Sequence, residues 1–330
     1  MDSSGTIRWL ADGIPLTPVH DSLAQHYPQI VSDGLGGAVV CWENGKIPSA
    51  GTEWDVYAQR VNASGTILWG NSGLAVCTTP YNCNTPLIIN VLNRDLIIAW
   101  NDYRNSNWDV FAQRINYSGS IKWPVNGIGV CIMNGSQMIN WTGGGIINDG
   151  QCGAIITWSD TRNGNLDVYA QRIDTTGNVL WPSNGVVICD KAGAQMWLSV
   201  CSDYSNGAII VWQDTVPINR NRWDIYCQRV DSNGNCLWPT NGLPVCVQDS
   251  IQERPIIVSD NTPGGAIITW QDYRTRATIV DLYAQRVGDT TIIGIQEQVK
   301  KMKSFNFDIY PNPFTNKVTI KLSKVSEPSE

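Results

Sequence analysis

The sequence has few charged residues and no long apolar run. Asp, Glu, Lys and Arg make up 16% of its 330 residues, and the formal net charge is −6. Because no basic face is available to replace the counterions of a nucleic acid, we exclude nucleic acid as a partner. No stretch approaches the roughly 18 apolar residues of a membrane-spanning helix, so we expect no transmembrane segment. No signal peptide is visible either.

Several local motifs of enzymes and metalloproteins are also missing. The sequence has no Cys–X–X–Cys pair, no Cys–His spacing typical of zinc, no phosphate-binding loop and no serine nucleophile elbow. Its only histidines are His20 and His26. No segment has a sustained 3.6-residue apolar period, so helices are not expected. We therefore predict no cofactor from these motifs.

Tryptophan, by contrast, is abundant, with 15 residues. One set of tryptophans begins similar segments, of which WSDTRNGNLDVYAQR (158–172) and WNDYRNSNWDVFAQR (100–114) are examples. This set is Trp42, Trp100, Trp158, Trp212 and Trp270, spaced by 58, 58, 54 and 58 residues. A nearly constant period of this length indicates a repeat architecture.

Each repeat contains four short runs that favour β-strands. In one repeat, AIITW (154–158) follows a glycine-rich turn, a loop leads to DVYAQRI (167–173), and a tight turn precedes VLWPSNGVVIC (179–189). The runs are rich in Val, Ile, Tyr and Trp, with Gly, Asn, Asp and Ser at the breaks. Four strands per repeat predict a β-propeller blade.

A second set of tryptophans predicts how the ring closes. Residues 2–16 match residues 62–76, the end of a repeat, whereas residues 255–287 are a repeat without its fourth strand. We therefore predict an all-β chain: a five-bladed β-propeller over residues 1–287, whose N-terminal strand 2–16 completes the last blade. A larger ring with further blades upstream is the alternative. The second set is Trp9, Trp69, Trp123, Trp181 and Trp238.

The start of the chain carries a further expectation. Asp2 lies in the middle of a repeat, so we expect a fragment or a mature form from which an export signal has been removed.

Residues repeated at one position in the blades are predicted to be scaffold. Both tryptophan sets are assigned to the core between blades, because each large ring buries about 150–250 Å². Asp160 and Arg162, with their equivalents, are expected to cap strand ends and hold the long loops through charge-assisted hydrogen bonds. The Asp and Arg of the D-x-Y-x-Q-R segments, such as Asp167 and Arg172, are assigned to the scaffold for the same reason.

The stretch SDTRNGNLDVYAQRIDTTG (159–177) resembles the repeat of TolB-like propellers. The resemblance covers part of each blade and implies a propeller fold. It implies little about function, because propellers of one family bind many different ligands.

Ten cysteines are present, and most of them replace small apolar residues of other repeats. Equivalent cysteines in separate blades should lie farther apart than the ~5–6 Å Cα separation of a disulfide. We therefore predict buried apolar residues at these positions. Two pairs remain as alternatives: Cys77–Cys83 could close a small loop, and Cys227–Cys236 could bridge a hairpin.

The repeats end near Val287, and residues 288–304 are predicted to be a linker because they lack strand alternation. FNFDIYPNPFTNKVTIKLS (305–323) follows, and it resembles the start of the type A C-terminal sorting domain of type IX secretion substrates. The resemblance implies a truncated β-sandwich domain over residues 305–330, the type IX secretion machinery as a partner, and a secreted or outer cell-surface location. The motif residues are Tyr310, Pro311, Asn312, Pro313 and Phe314. An unrelated β-hairpin is the alternative.

Binding residues are sought where the blades differ, in the loops between second and third strands. Trp54, Trp108 and Trp223 end these loops beside polar residues, and we predict that they stack on a sugar ring. Trp141 and Trp197 precede or begin first strands and could line the opposite rim or the channel. The alternative is that each of these tryptophans covers its own blade edge.

We therefore predict a secreted or cell-surface binding propeller, a monomer and not an enzyme, that recognises an extracellular glycan or another macromolecule. A passive structural or adhesin spacer is one alternative. A glycoside hydrolase is another; it needs two carboxylates about 5–10 Å apart, and the carboxylates unique to one blade are Glu43, Glu53 and Glu253. Calcium is a further alternative at DTRNGN (160–165), although an arginine occupies one ligand position.

Overall fold

The computed structural model describes residues 7–18, 23–46, 53–91, 94–139, 145–215, 222–276 and 279–288. Over these ranges the chain forms twenty β-strands, arranged in five antiparallel sheets. The described residues include no helix of the length and apolarity needed to cross a membrane. The prediction of an all-β fold is confirmed. The predicted sorting domain, 305–330, and its motif, 310–314, lie outside the described residues.

Sheets 1 and 2 each have four strands, paired in chain order. Sheet 1 consists of β1 (Gln25–Ser32), β2 (Ala38–Gly45), β3 (Trp54–Val61) and β4 (Leu74–Cys77). Sheet 2 consists of β5 (Cys83–Val91), β6 (Asp95–Asp102), β7 (Asp109–Asn116) and β8 (Ile128–Cys131).

Sheets 3, 4 and 5 follow the same order, but sheet 3 has an additional short strand and sheet 5 lacks a fourth strand within the described ranges. Sheet 3 consists of β9 (Gln137–Met138), β10 (Gly145–Asn148), β11 (Ala154–Asp160), β12 (Asp167–Ile173) and β13 (Val186–Cys189). Sheet 4 consists of β14 (Gln195–Ser202), β15 (Ala208–Thr215), β16 (Trp223–Val230) and β17 (Leu243–Cys246). Sheet 5 consists of β18 (Gln252–Ser259), β19 (Ala266–Arg276) and β20 (Ile279–Val287).

The core lies between successive sheets. Val39 and Val56 of sheet 1 pack against Ile98 and Trp100 of sheet 2, and equivalent apolar clusters join sheets 2 and 3, 3 and 4, and 4 and 5. Central strands such as β11 are buried on both faces, which explains their continuous runs of β-branched residues. Four-stranded sheets stacked face to face in chain order are the architecture of a β-propeller.

The structure differs from the predicted ring closure. Sheet 5 ends at β20, and residues 7–16 form no strand beside it. This segment contacts sheet 1, where the Trp9 indole N–H donates to the Ala63 carbonyl at 3.0 Å. Trp69, in the same way, donates to the carbonyl of Tyr117 in sheet 2. The N-terminal segment therefore takes the place of a preceding blade's fourth strand without joining sheet 5.

The tryptophans of the second strands pack within their own sheets as well as between sheets. Trp100 is fully buried, and its ring lies against Gly127, just before β8. Gly127 has a φ of +80°, and a Cβ there would lie 2.4 Å from the Trp100 ring. Trp158 and Gly185 repeat this arrangement in sheet 3. The N-G pair of each W-P-x-N-G segment therefore leaves room for the ring of the second-strand tryptophan.

The arginines of the D-x-Y-x-Q-R segments connect three parts of the fold. Arg172 pairs with Asp149, at the turn between β10 and β11, at 2.8 Å, and also donates to the Ser232 carbonyl of sheet 4. Arg60 and Arg114 make the equivalent bonds to the next sheet. The ion-pair partner is thus the aspartate of the first turn, a pairing that was not predicted from the sequence.

Candidate functional site

We call β1, β5, β10, β14 and β18 the inner strands of sheets 1 to 5. Residues of β1, β5, β10 and β14 line a cavity of about 250 Å³ between the sheets. Each inner strand begins at the side of its sheet that carries the loop between second and third strands. The register shows this directly, because Gln25, at the start of β1, pairs with Asn44, at the end of β2. The variable loops and the first residues of the inner strands therefore share one side of each sheet.

The third residue of four inner strands has a left-handed backbone. Tyr27, Thr85, Trp197 and Arg254 have φ values between 48° and 55°. Such values cost about 1–3 kcal/mol for residues other than glycine, and they persist only where the surroundings enforce them. Each lies where the pairing of first and second strands is irregular.

A side chain of the preceding sheet holds two of these positions. The Thr85 N–H donates to Glu43 Oε1 at 2.5 Å, and the Arg254 N–H donates to Gln213 Oε1 at 3.2 Å. In sheet 3 the Ile139 N–H donates to Asn101 Oδ1 at 2.8 Å. We call this contact the latch: a second-strand side chain accepts a hydrogen bond from the third inner-strand residue of the next sheet or, in sheet 3, from Ile139, which directly follows β9.

Glu43 is the one ionisable member of the latch column. The equivalent residues are Asn101, Ser159, Gln213 and Gln271. Glu43 is buried, and burial raises the pKa of its carboxyl, although the Thr85 N–H and nearby His26 partly offset the effect. A raised pKa keeps a carboxyl protonated closer to neutral pH, where it can act as a general acid.

His26 connects Glu43 to an aromatic surface. It lies opposite Glu43 in the β1–β2 register, and its ring centroid is 4.6 Å from that of Trp54. Trp54 itself is half-buried at the start of β3. An acid, an imidazole and an indole face are thus grouped at the loop side of sheet 1.

A second carboxyl lies at the corresponding end of sheet 5. Glu253 occupies in β18 the position that His26 occupies in β1, and it accepts a hydrogen bond from the Tyr273 hydroxyl at 3.1 Å. The neighbouring Arg254 guanidinium lies 4.8 Å above the Trp197 ring. Trp197 and Arg254 also line a cavity of about 290 Å³ between β14 and β18.

The predicted stacking residues are dispersed over several sheets. Trp54 contacts His26, Trp108 lies 4.9 Å from Tyr103, and Trp223 is half-buried at the start of β16. Trp197 is near Arg254 on an inner strand. Trp141 lies outside the described residues. Each described tryptophan of this set contacts different neighbours, and their role in ligand binding stays a prediction.

The Asp–Arg elements hold their loops as compact units. Asp160 accepts hydrogen bonds from the Trp158 indole and the Arg162 guanidinium, and Arg162 stacks 3.9 Å above the Tyr169 ring. In sheet 4 the arginine column is broken, and Lys191 pairs with Asp214 at 2.7 Å instead. The calcium alternative at DTRNGN (160–165), the loop that carries Asp160 and Arg162, stays a prediction.

The cysteines differ in one respect from the main prediction. Cys77 and Cys83 form a disulfide with a Cα separation of 6.5 Å, whereas Cys227 and Cys236 are free thiols. Cys83 takes the place of the glutamine that begins β1, β14 and β18, such as Gln195. The two sulfur atoms and the Asp102 carboxylate are close together, but the sulfurs are bonded to each other.

No protein-family profile and no curated protein matches the sequence. Solved structures do align with it. An α-L-arabinofuranosidase from Podospora anserina matches at 13% identity over 82% of this chain and 94% of that chain, with a TM-score of 0.36. An α-L-arabinanase from Penicillium chrysogenum matches at 12% identity over 79% and 80%, with a TM-score of 0.46. A GH62 α-L-arabinofuranosidase from Coprinopsis cinerea matches at 12% identity over 82% and 94%, with a TM-score of 0.38.

These matches contradict the predicted function. These three proteins, and a thermostable family-43 glycoside hydrolase that also aligns, are glycoside hydrolases and not binding modules. The prediction of a non-enzymatic binding propeller is therefore wrong, and the glycosidase alternative agrees better with the matches. At such low identities the alignments transfer no residue role and no substrate to this chain.

Comparison of aligned repeats could have identified Glu43 from the sequence. Glu43 is one of the carboxylates unique to one blade, together with Glu53 and Glu253. Its position in a column of Asn, Ser and Gln marks it as an exception. His26 could not be recognised in this way, because only the β1–β2 register brings it opposite Glu43.

Proposed function

We propose that this chain is a carbohydrate-active enzyme that hydrolyses glycosidic bonds at the loop side of its inner strands. The observation that carries the proposal is Glu43: a buried carboxyl with a raised pKa, in a column whose other members cannot ionise. Glycosidases require one carboxyl that is protonated and one that is ionised. Glu43 is the candidate for the protonated group.

In the proposed reaction, Glu43 donates its proton to the glycosidic oxygen as the bond from the anomeric carbon to that oxygen breaks. A water molecule forms the new bond to the anomeric carbon, and Glu253 accepts the proton that this water releases. The aromatic faces of Trp54 and Trp197 are the candidate surfaces for the sugar rings. No metal or organic cofactor is needed for this exchange of bonds and protons.

Activity measurements on the purified chain test this proposal. The substrates are aryl α-L-arabinofuranosides, aryl β-mannosides and the matching polysaccharides, with release of aryl alcohol or reducing sugar as the readout. We expect Glu43→Gln to lower kcat/KM by at least about 100-fold, the usual effect of losing a general acid. Because the acid must be protonated, the activity of the wild-type chain should fall on the alkaline side of its optimum.

Glu53→Gln is the matched control, because Glu53 is exposed in the loop of the same sheet. It should retain wild-type activity, and circular dichroism should show that both variants are folded. Glu253→Gln should also lose activity. An inactive wild-type chain, or a fully active Glu43→Gln variant, contradicts the proposal.

We also propose, from the sequence alone, that the chain is exported by the type IX machinery to the cell surface or medium. The support is the YPNPF element at residues 310–314 and the strand-like residues after it. Expression in a host with type IX secretion, and in an otherwise identical host that lacks it, tests this. Equal amounts of the chain at the cell surface and in the medium of the two hosts would contradict this proposal.

A further inference from the structure

One face of sheet 5 is uncovered, although the same face of the other sheets is buried. Leu282 of β20 is 70% exposed, whereas the equivalent Ile225 of sheet 4 is fully buried. Ile267 is likewise exposed, and its equivalent Ile209 is buried. In sheets 1 to 4 the next sheet covers this face. We call the uncovered surface the seam face: Ile256, Val258, Ile267 and Leu282.

Sheet 1 is uncovered on the complementary side. Ile30 of β1 is 68% exposed, whereas its equivalent in sheet 2, Ile88, is 7% exposed because it packs against sheet 1. Tyr27, also exposed, stands at the donor position of the latch. Gln271, on β19 of sheet 5, stands at the acceptor position of the same column. The two uncovered surfaces are thus the two halves of an interface that occurs four times within the chain.

The free edge of β20 in sheet 5 is likewise complementary to the N-terminal segment that lies on sheet 1. β20 has no fourth strand beside it among the described residues, although sheets 1 to 4 each have one. Residues 7–16, which resemble the fourth-strand segments, lie against sheet 1 through Trp9. Trp9 contacts Gly65 as Trp69 contacts Gly119 in the next repeat. Sheet 1 therefore carries the strand segment that the β20 edge could accept.

We propose that the seam face of one molecule docks onto sheet 1 of a second copy of this chain, head to tail. Residues 7–16 of the second copy lie along β20, and its Ile30 packs on the seam face. Gln271 accepts the hydrogen bond of the second copy's Tyr27 N–H. A second copy is the occupant we choose because both surfaces remain exposed within a single chain. Such a contact joins different surfaces, so longer assemblies can form.

Light scattering after size-exclusion chromatography tests self-association. We expect the average mass of the wild-type chain to rise with concentration. Leu282→Arg places a charge in the apolar contact and should weaken association roughly 100-fold. Val125→Arg is the matched control, because Val125 is 84% exposed and lies outside the seam face. A wild-type chain that stays monomeric at all concentrations, or a Leu282→Arg variant that associates normally, overturns the proposal.

Cross-linking distinguishes a second copy from closure within one chain. Cys236 is exposed, so every variant also carries Cys236→Ser. When a Tyr27→Cys chain is mixed with a Gln271→Cys chain under mild oxidation, we expect a disulfide-linked heterodimer. A chain carrying both substitutions that forms the link as a monomer, with no heterodimer in the mixture, shows closure of the ring in one molecule and overturns the proposal. Because this readout needs no activity, it is independent of the proposed function.

Discussion

Glycines beneath the buried tryptophans are among the most constrained residues of the chain. Gly127 combines a φ of +80° with close approach to both the Trp100 ring and the Ala112 carbonyl oxygen. Either feature alone disfavours a side chain, and together they explain why the N-G pair recurs in the repeats. The sequence pattern thus has a steric cause in the second strand, about 27 residues away along the chain.

We expect Gly127→Ala to destabilise the protein by about 3 kcal/mol. The added methyl group overlaps with the indole ring and also carries the cost of a left-handed backbone. Gly164→Ala is the matched control, because Gly164 has a φ of +93° but no atom within 4 Å of the added Cβ. Its cost should be about 1 kcal/mol. Equal losses for the two variants in urea unfolding would contradict the steric explanation.

Glu43 should make stability depend on pH. Burial raises its pKa in the folded state, so its favourable contribution is fully present below the unfolded value of about 4.3. That contribution is lost as the pH rises through the raised folded pKa. Gln at this position keeps an acceptor for the Thr85 N–H without ionising.

We therefore expect Glu43→Gln to gain stability relative to the wild-type chain at pH 7, and to gain less at pH 4. Thermal unfolding at the two pH values measures the difference. A Tm difference that is the same at both pH values would show that Glu43 does not titrate with a raised pKa. A gain at neutral pH would also fit a residue retained for function at some cost in stability.

At the scale of one strand, β12 shows why the Q-R pair recurs. The Gln171 side chain accepts a hydrogen bond from the main-chain N–H of Trp181 and donates one to the Pro182 carbonyl. It therefore fixes the segment that leads into the fourth strand of its sheet. Arg172 then fixes the first turn through Asp149 and the next sheet through Ser232. Two adjacent residues on one strand thus organise both neighbouring loops and one neighbouring sheet.

We expect Arg172→Ala to destabilise the protein by about 3–5 kcal/mol, because it leaves the buried Asp149 carboxylate without its cation. Arg286→Ala is the matched control in sheet 5. Its ion pair with Asp260 is similar, but the Arg286 side chain is 46% exposed. That variant should lose no more than about 1 kcal/mol. If both variants lose the same amount in urea unfolding, burial does not set the strength of these pairs.

The Cys77–Cys83 disulfide joins the end of sheet 1 to the start of sheet 2. It closes a loop of six residues in sequence separation, and a loop of that size should contribute roughly 2 kcal/mol through the entropy of the unfolded chain. Reductant should therefore lower the unfolding free energy of the wild-type chain by this amount. The double variant Cys77→Ser, Cys83→Ser should not respond to reductant. If reductant also lowers the unfolding free energy of the double variant, the effect does not come from the Cys77–Cys83 disulfide.

At the scale of the whole molecule, sheet 5 should be less protected than sheets 2, 3 and 4. Sheets 2, 3 and 4 are covered on both faces by neighbours, whereas the seam face is open. Local openings start where few apolar contacts are lost. In dilute solution, amide hydrogen exchange should be faster in β19 than in β6, β11 and β15. Slower or equal exchange in β19 would mean that sheet 5 is covered.

Much of the site could not be predicted because its signal is tertiary. Glu43 is visible as an exception in its column, but its raised pKa depends on burial between sheets 1 and 2. The grouping of His26 with Trp54 depends on strand register and loop conformation. The left-handed residues at the starts of inner strands have no common residue type, so no sequence pattern marks them.

The sequence by itself determined the all-β fold and its repetition, because strand periodicity, turn residues and the two tryptophan columns are local and occur several times. It did not determine which charges pair, since Arg172 meets Asp149 rather than the aspartate of its own segment. Nor did it determine whether the ring closes. That outcome depends on where residues 7–16 lie and on the packing of two distant sheets, which only the tertiary structure specifies.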